Sequence, residues 1–161
     1  MKYSDLDRGL MPIPCLGDVL AEFGHKAYLD IELKVSGNEE HVISELHEQA
    51  PRRIVVSSFL PEVLTRLHSL DAGVPLGYIC KHKQGVPGWT KLPIKIFLPH
   101  HRLASERLIE QVHEHGVQVI AWTVNDSDAM LRLAAWGVDG IISDDPALLG
   151  RTFGRKKSTG N

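Results

Sequence analysis

The chain has 161 residues, a formal net charge of -2 and 43% hydrophobic residues, which is ordinary for one soluble globular domain. This charge gives no electrostatic reason to expect binding to nucleic acid or an anionic membrane, and no apolar run reaches the roughly 18 residues of a membrane span. Two cysteines, Cys15 and Cys80, are too few for a disulfide framework, so we expect reduced thiols and a cytoplasmic location.

Short apolar runs alternate with helical patterns from residue 27 onward. The predicted strands cover residues 27–33, 53–58, 75–80, 94–99, 117–124 and 139–144. The predicted helices cover residues 38–50, 61–70, 105–116, 125–137 and 145–150, and residues 81–92 form a turn-rich connection. Because strands separated by helices pair in parallel through right-handed crossovers, the pattern predicts an α/β fold with about six parallel strands.

Two architectures fit this alternation: an open doubly wound sheet, or part of a (β/α)8 barrel. Polar residues recur where the predicted strands end, and in a barrel this is the edge that carries the functional side chains. An open sheet would concentrate them at one switch point instead, so the pattern favours an incomplete TIM-type barrel over residues 1–150. The remaining residues, 151–161, are expected to form a flexible basic tail.

The stretch "AYLDIELK" (residues 27–34) places three charges inside an apolar run. Side chains alternate between the two faces of a strand, so Asp30, Glu32 and Lys34 share one face. That face lies either in water or against a polar pocket. An exposed ion pair of little energetic value is the simpler interpretation of Glu32 and Lys34.

Four blocks of the sequence resemble one known family. The segments "LDIELK", "VVSSF.PEVL", "AWTVND" and "GVDGIISDDPALL" are similar to the later barrel strands of glycerophosphodiester phosphodiesterases, and "DLDRG....IPCLGDVL" resembles the segment before the third strand. The resemblance implies a (β/α)8 barrel that hydrolyses phosphodiesters with a divalent metal, releasing glycerol 3-phosphate and an alcohol.

The resemblance also implies roles for individual residues. Glu32 matches a glutamate that binds Mg²⁺ or Ca²⁺, ions that prefer oxygen ligands. Lys34 matches a lysine that contacts the substrate phosphate. Trp122 matches an aromatic residue near the glycerol moiety, and Asn125 stands beside it as a further substrate-binding candidate. Tryptophan is also a common core residue, which remains the alternative for Trp122.

The sequence departs from the family pattern upstream of "LDIELK". The family's His-Arg, Glu-x-Asp and His-Asp motifs do not occur in the 26 residues before Ala27. A complete barrel has about 250 residues, or about 30 per strand–helix unit, so we expect this chain to represent strands three to eight. One metal carboxylate without its partners predicts weak metal binding, and without the family's two histidines acid–base catalysis has no obvious carrier.

Three functions therefore stay open. The first is a shortened relative of the family that is inactive alone. The second is an active phosphodiesterase whose missing strands come from another chain, or whose acid and base are recruited from His100 or His82. The third is a non-enzymatic module that binds a phosphate ligand or a protein. His100 is the candidate for acid–base catalysis, against the simpler interpretation of a solvated loop residue. Because an opened barrel exposes two strand edges, we also expect self-association as a homodimer.

Overall fold

A computed structural model describes residues 13–154 of the chain. The helices are α1 (Leu16–Phe23), α2 (Glu39–Gln49), α3 (Pro61–Leu70), α4 (Glu106–Glu114), α5 (Ser127–Ala135) and α6 (Pro146–Phe153). The strands are β1 (Leu29–Glu32), β2 (Ile54–Ser58), β3 (Leu76–Cys80), β4 (Ile96–Pro99), β5 (Gln118–Ala121) and β6 (Gly140–Ile141). A 3-10 helix, Lys83–Lys91, connects β3 to β4.

The six strands form one sheet in chain order, and every neighbouring pair is parallel. Within residues 13–154, β1 pairs only with β2 and β6 pairs only with β5, so the sheet curls without closing. The fold is an incomplete TIM-type (β/α) barrel, which confirms the fold class and the parallel pairing predicted from the sequence.

The apolar side chains form two layers, one on each face of the sheet. Residues such as Val56, Phe97 and Val119 point outward and pack against the helices in the largest core cluster. A smaller cluster of Val55, Ile79, Ile96 and Leu98 faces the concave side, together with the partly buried Ile120 and Trp122. This concave cluster defines which side chains point toward the barrel interior.

Local signals set the ends of several helices. Ser105, Asp126 and Asp145 each accept a hydrogen bond from a backbone N–H one turn into α4, α5 and α6, as N-cap residues do. After α4 and α5 the chain turns at Gly116 and Gly137, whose φ angles of 70° and 86° lie in the left-handed region that favours glycine.

The observed elements differ most from the predicted ones near the two ends of the described chain. Helix α1 has no counterpart in the prediction. Strands β5 and β6 are shorter than the predicted runs 117–124 and 139–144, although single backbone hydrogen bonds, such as that from the Val124 N–H to the Ile142 carbonyl, continue beyond their ends. Helix α6 runs to Phe153, so residues 151–153 of the expected tail are helical, and residues 155–161 lie outside the described residues. No helix within residues 13–154 is both long and apolar enough to cross a membrane.

Candidate functional site

The candidate site lies on the concave face, at the edge where the parallel strands end. In the register of β1 with β2, Asp30 pairs with Val55 and Glu32 pairs with Ser57. Since Val55 belongs to the concave cluster, alternation places Asp30 and Glu32 on the same face. The carboxylate of Glu32 therefore points toward the open barrel interior.

Backbone pairing continues one residue beyond β1 and sets the direction of Lys34. The N–H of Leu33 donates to the carbonyl of Ser57 over 2.8 Å, and the Ser58 hydroxyl donates to the carbonyl of Leu33 over 2.7 Å. Leu33 itself packs into the outer core. The next side chain, Lys34, consequently projects to the concave side, as does Glu32.

Glu32 and Lys34 are both solvent exposed. Neither side chain forms an ion pair or a hydrogen bond with another residue between positions 13 and 154. A simple surface salt bridge between them, the alternative left open by the sequence, is thus not formed in this conformation. The carboxylate and the ammonium are both available to a ligand.

Trp122 forms the centre of an aromatic group on the same edge. Its indole N–H donates to the carbonyl of Leu98 over 2.7 Å, which fixes the ring against β4. Phe59 packs edge-on with a centroid separation of 5.6 Å, and His100 does the same at 5.4 Å. Phe59 was not predicted as a site residue, although it lies two positions after the inward-facing Ser57 and alternation places it on the concave face.

His100 sits at the end of β4 in a setting that disfavours its charged form. Burial lowers the pKa of its imidazole, and the positive charges of Arg102 and Lys81 lower it further. The backbone N–H of Arg102 donates to His100 Nδ1 over 3.3 Å. A neutral ring that accepts at Nδ1 carries its proton on Nε2, so we assign His100 as a hydrogen-bond donor through Nε2.

Asn125 is held in a network that joins the ends of β5 and β6. Its amide oxygen accepts hydrogen bonds from the Ser143 hydroxyl and from the N–H of Asp144, over 3.0 Å and 2.9 Å. Its amide nitrogen donates to the Asp144 carboxylate over 2.8 Å. The amide oxygen is therefore fully engaged, and one N–H of the side chain remains for a ligand.

Asp30 is a concave-face carboxylate for which the sequence suggested no role. The Ser57 hydroxyl donates to it over 2.6 Å. Partial burial raises the pKa of the Asp30 carboxyl, and the hydrogen bond from Ser57 opposes this by favouring the ionised form. The alternation of "LDIE" was the signal that placed it beside Glu32.

The donor set for a divalent cation is incomplete. Mg²⁺ and Ca²⁺ take about six or more oxygen ligands, and Glu32 offers one carboxylate. Between residues 13 and 154 there is no group of three or more His, Cys, Asp or Glu side chains that could hold a metal ion. The residues present do not by themselves fit the metal site that the family resemblance implies.

A cleft of about 450 Å³ borders this edge between the end of β3 and the 3-10 helix. Phe59, Lys81 and Gln84 are among its lining residues. Lys81 follows β3 in the inward position, next to the strand that carries His100. The concave edge thus presents two cations, Lys34 and Lys81, which favours an anionic group.

The chain is similar to known glycerophosphodiester phosphodiesterases. The model of the glycerophosphoryl diester phosphodiesterase family matches residues 2–148. A Bacillus subtilis glycerophosphodiester phosphodiesterase is 27% identical over 155 residues, which cover 86% of this chain and 53% of the relative. A second such enzyme, from Caldanaerobacter subterraneus, is 30% identical over 146 residues, covering 85% of this chain and 60% of the relative. The chain therefore spans little more than half the length of these relatives.

Solved structures show the same fold. A Thermotoga maritima glycerophosphodiester phosphodiesterase has a TM-score of 0.73 at 19% identity, covering 87% of this chain and 64% of the other. An Oleispira antarctica phosphodiesterase in complex with the product sn-glycerol-3-phosphate has a TM-score of 0.67 at 23% identity, covering 84% of this chain and 57% of the other.

Proposed function

Because the chain belongs to the glycerophosphoryl diester phosphodiesterase family, we propose that its concave face binds a glycerophosphodiester or glycerol 3-phosphate. The parallel register is the observation that carries this proposal. It brings Glu32, Lys34 and Trp122 to one face and one edge of the sheet, although they are up to 90 residues apart in the sequence.

Each of three side chains supplies a different part of the recognition. The ammonium of Lys34 attracts the phosphate and donates hydrogen bonds to its oxygens. The Nε2–H of His100 is a second donor for the same group. The Trp122 ring, fixed through Leu98 and bounded by Phe59, offers an apolar surface to the glycerol carbons.

We propose that a divalent cation binds weakly to this chain, with Glu32 as one ligand. A single carboxylate supplies too few oxygens for tight binding of Mg²⁺ or Ca²⁺. A bound cation would offset phosphate charge, but the described residues support no reaction step through it. The simplest consequence is that added metal strengthens phosphate binding only slightly.

The same residues support slow hydrolysis or none. General base catalysis requires a basic nitrogen facing the reaction, whereas His100 uses Nδ1 to accept the Arg102 N–H and presents Nε2–H. A low pKa also keeps this imidazole neutral, which makes it a poor source of protons for the leaving alcohol. Ligand binding without turnover is therefore the second candidate function.

Calorimetry with sn-glycerol 3-phosphate tests the binding proposal. We expect Lys34→Gln to weaken binding by about tenfold, because it removes the free ammonium at the site. Lys91→Gln, an exposed change of the same charge on the 3-10 helix, is the matched control and should bind like the unmodified chain. Equal affinities for all three proteins would overturn the proposal.

Hydrolysis of glycerophosphocholine with Mg²⁺ or Ca²⁺ separates the two candidate functions. Turnover that disappears in both Glu32→Ala and His100→Ala supports an active enzyme. Binding without turnover in the unmodified chain supports the ligand-binding module. A chain that neither binds nor turns over contradicts both.

We also propose that the open barrel self-associates. Within residues 13–154 the outer edges of β1 and β6 have no strand partner, and large apolar side chains such as Phe23, Ile142 and Phe153 are 38–47% exposed. Unpaired edges and exposed apolar surface both favour association. A dimer in analytical ultracentrifugation is expected, and a monomer at all concentrations tested would contradict it.

A further inference from the structure

A second concentration of positive charge lies at the other end of the sheet, where the strands begin. Arg52 and Arg53 directly precede β2, Lys95 directly precedes β4, and Tyr28 directly precedes β1. With Gln118, the first residue of β5, they line one cavity of about 440 Å³. Strands of four or five residues separate this cavity from the candidate site by about 13–17 Å at 3.3 Å per residue.

The three cations at this cavity have no acidic partner. None of them forms an ion pair with a residue in the described part of the chain, 13–154, whereas Arg66 pairs with Glu40 on the outer surface. The whole chain carries a net charge of -2, so the local charge at this cavity is opposite in sign to the net charge of the chain. Such a cluster raises the local concentration of anions.

The orientation of Arg53 is set by an aromatic neighbour. Its guanidinium lies 5.7 Å from the centroid of the Tyr28 ring, within the range of a cation–π contact. Arg53 and Gln118 are both among the residues that line the cavity. A guanidinium held by a ring is arranged to present its two parallel N–H groups to a planar or tetrahedral anion.

The remaining polar groups at the cavity are hydrogen-bond donors or can act as donors. The Tyr28 hydroxyl and the Gln118 amide add to the two guanidinium groups and the ammonium of Lys95. One carboxylate close to the cavity, that of Asp30, lies two residues after Tyr28 and accepts the Ser57 hydroxyl. A cavity of this volume is large enough for a phosphate-bearing small molecule.

We propose that this cavity is a second ligand site, at which Arg53, Arg52 and Lys95 bind a small multivalent phosphate anion. The site is independent of the concave edge at the other end of the strands. Two or more negative charges on the ligand are needed to match three cations. A monoanion such as acetate is therefore expected to bind much more weakly than pyrophosphate.

Calorimetric titration of the full chain with pyrophosphate at low salt tests this site. We expect Arg53→Gln to weaken binding by about tenfold or more, because it removes the guanidinium that faces the cavity. Arg107→Gln, an exposed change of equal charge on α4, is the matched control. Asp30→Asn removes a negative charge that acts on the cavity residue Tyr28 and should strengthen binding.

Lys34→Gln distinguishes the two ends of the sheet. If Lys34→Gln binds pyrophosphate as tightly as the unmodified chain, the ligand is located at the second site. If Lys34→Gln weakens pyrophosphate binding and Arg53→Gln does not, the ligand lies at the concave edge and the proposal is overturned. Equal weakening by Arg53→Gln and Arg107→Gln would show diffuse charge attraction and would also overturn it.

A measurement on the unmodified chain covers the case in which Arg53→Gln fails to fold. In ¹H–¹⁵N NMR, pyrophosphate should shift the Gln118 side-chain amide and the Arg53 Nε–H signals. Unchanged signals at both positions at saturating ligand would refute the second site, whatever the variants do.

Discussion

Replacing Gly77 with alanine tests how tightly the concave face is packed. Gly77 is the second residue of β3 and lies on the inward side, with Ser57 as its register partner on β2. A Cβ atom at this position would lie 2.7 Å from Leu98 Cδ1, 3.2 Å from Val55 Cγ2 and 3.3 Å from Ser57 Cβ. All three neighbours are almost fully buried, so they have little room to move.

The size of the effect follows from two opposing terms. Adding a methyl group to a packed core costs about 1–3 kcal/mol through displaced side chains and backbone. Alanine also restricts the unfolded chain, which stabilises the folded state by about 0.4–1 kcal/mol where the backbone conformation suits it. The φ angle of Gly77 is not positive, so both terms apply and we expect a net loss of about 1–2 kcal/mol.

Urea denaturation followed by circular dichroism measures this difference. Gly150→Ala is the matched control, because no atom lies within 4 Å of its added Cβ and it sits inside α6. That change should stabilise the protein by about 0.5–1 kcal/mol through helix propensity. Adding Leu98→Val to Gly77→Ala removes the closest contact, so the double variant should lose less stability than the two single losses combined. A stabilising Gly77→Ala would refute the packing argument.

Three further predictions concern titration and helix capping. A hydrogen bond from His47 over 2.8 Å lowers the pKa of Asp71, so His47→Gln should raise that pKa toward its ordinary value in a carboxyl ¹³C NMR titration. A lowered carboxyl pKa contributes stability that is fully present above the ordinary carboxyl pKa and is lost as the pH falls through the lowered one. The stability of the variant should therefore differ less between neutral and acid pH than that of the unmodified chain. Asp145→Ala removes the N-cap of α6 and should cost about 1 kcal/mol, with faster amide exchange in the first turn of α6; unchanged exchange would contradict the cap. Lys81→Gln should raise the pKa of His100 while leaving it below the ordinary value, because burial is the larger cause; a ¹H NMR titration that shows no change would exclude the charge effect.

Local patterns in the sequence were sufficient to identify the repeating units of this fold. The β-branched run at residues 54–58, the proline that starts α3 and the cap residues before α5 and α6 each act within one turn or one strand. Parallel pairing followed from the helical crossovers between strands. Helix α1 was not predicted, because the residues that form it were interpreted through the family resemblance and not through helical spacing.

The site was only partly accessible to the same reasoning. Alternation within "LDIELK" was enough to put Glu32 and Lys34 on one face, because it depends on neighbours two residues apart. The partners of Trp122 and Asn125 lie 24 and 19 residues away, at Leu98 and Asp144, and no local pattern indicates those contacts. Likewise, the hydrogen bond that occupies His100 Nδ1 depends on how the chain turns after β4.

The sequence by itself determined the order of the six strands and of the five helices that follow β1, and which strand residues share a face, since these follow from interactions between residues close together in the chain. The tertiary structure decided which of these faces meet. Strand register places Asp30 beside Ser57 and gathers three cations at the start of the strands. It also leaves Glu32 outside any group of three or more possible metal ligands among residues 13–154. Those outcomes depend on pairing between residues 19 or more positions apart, which only the folded sheet defines.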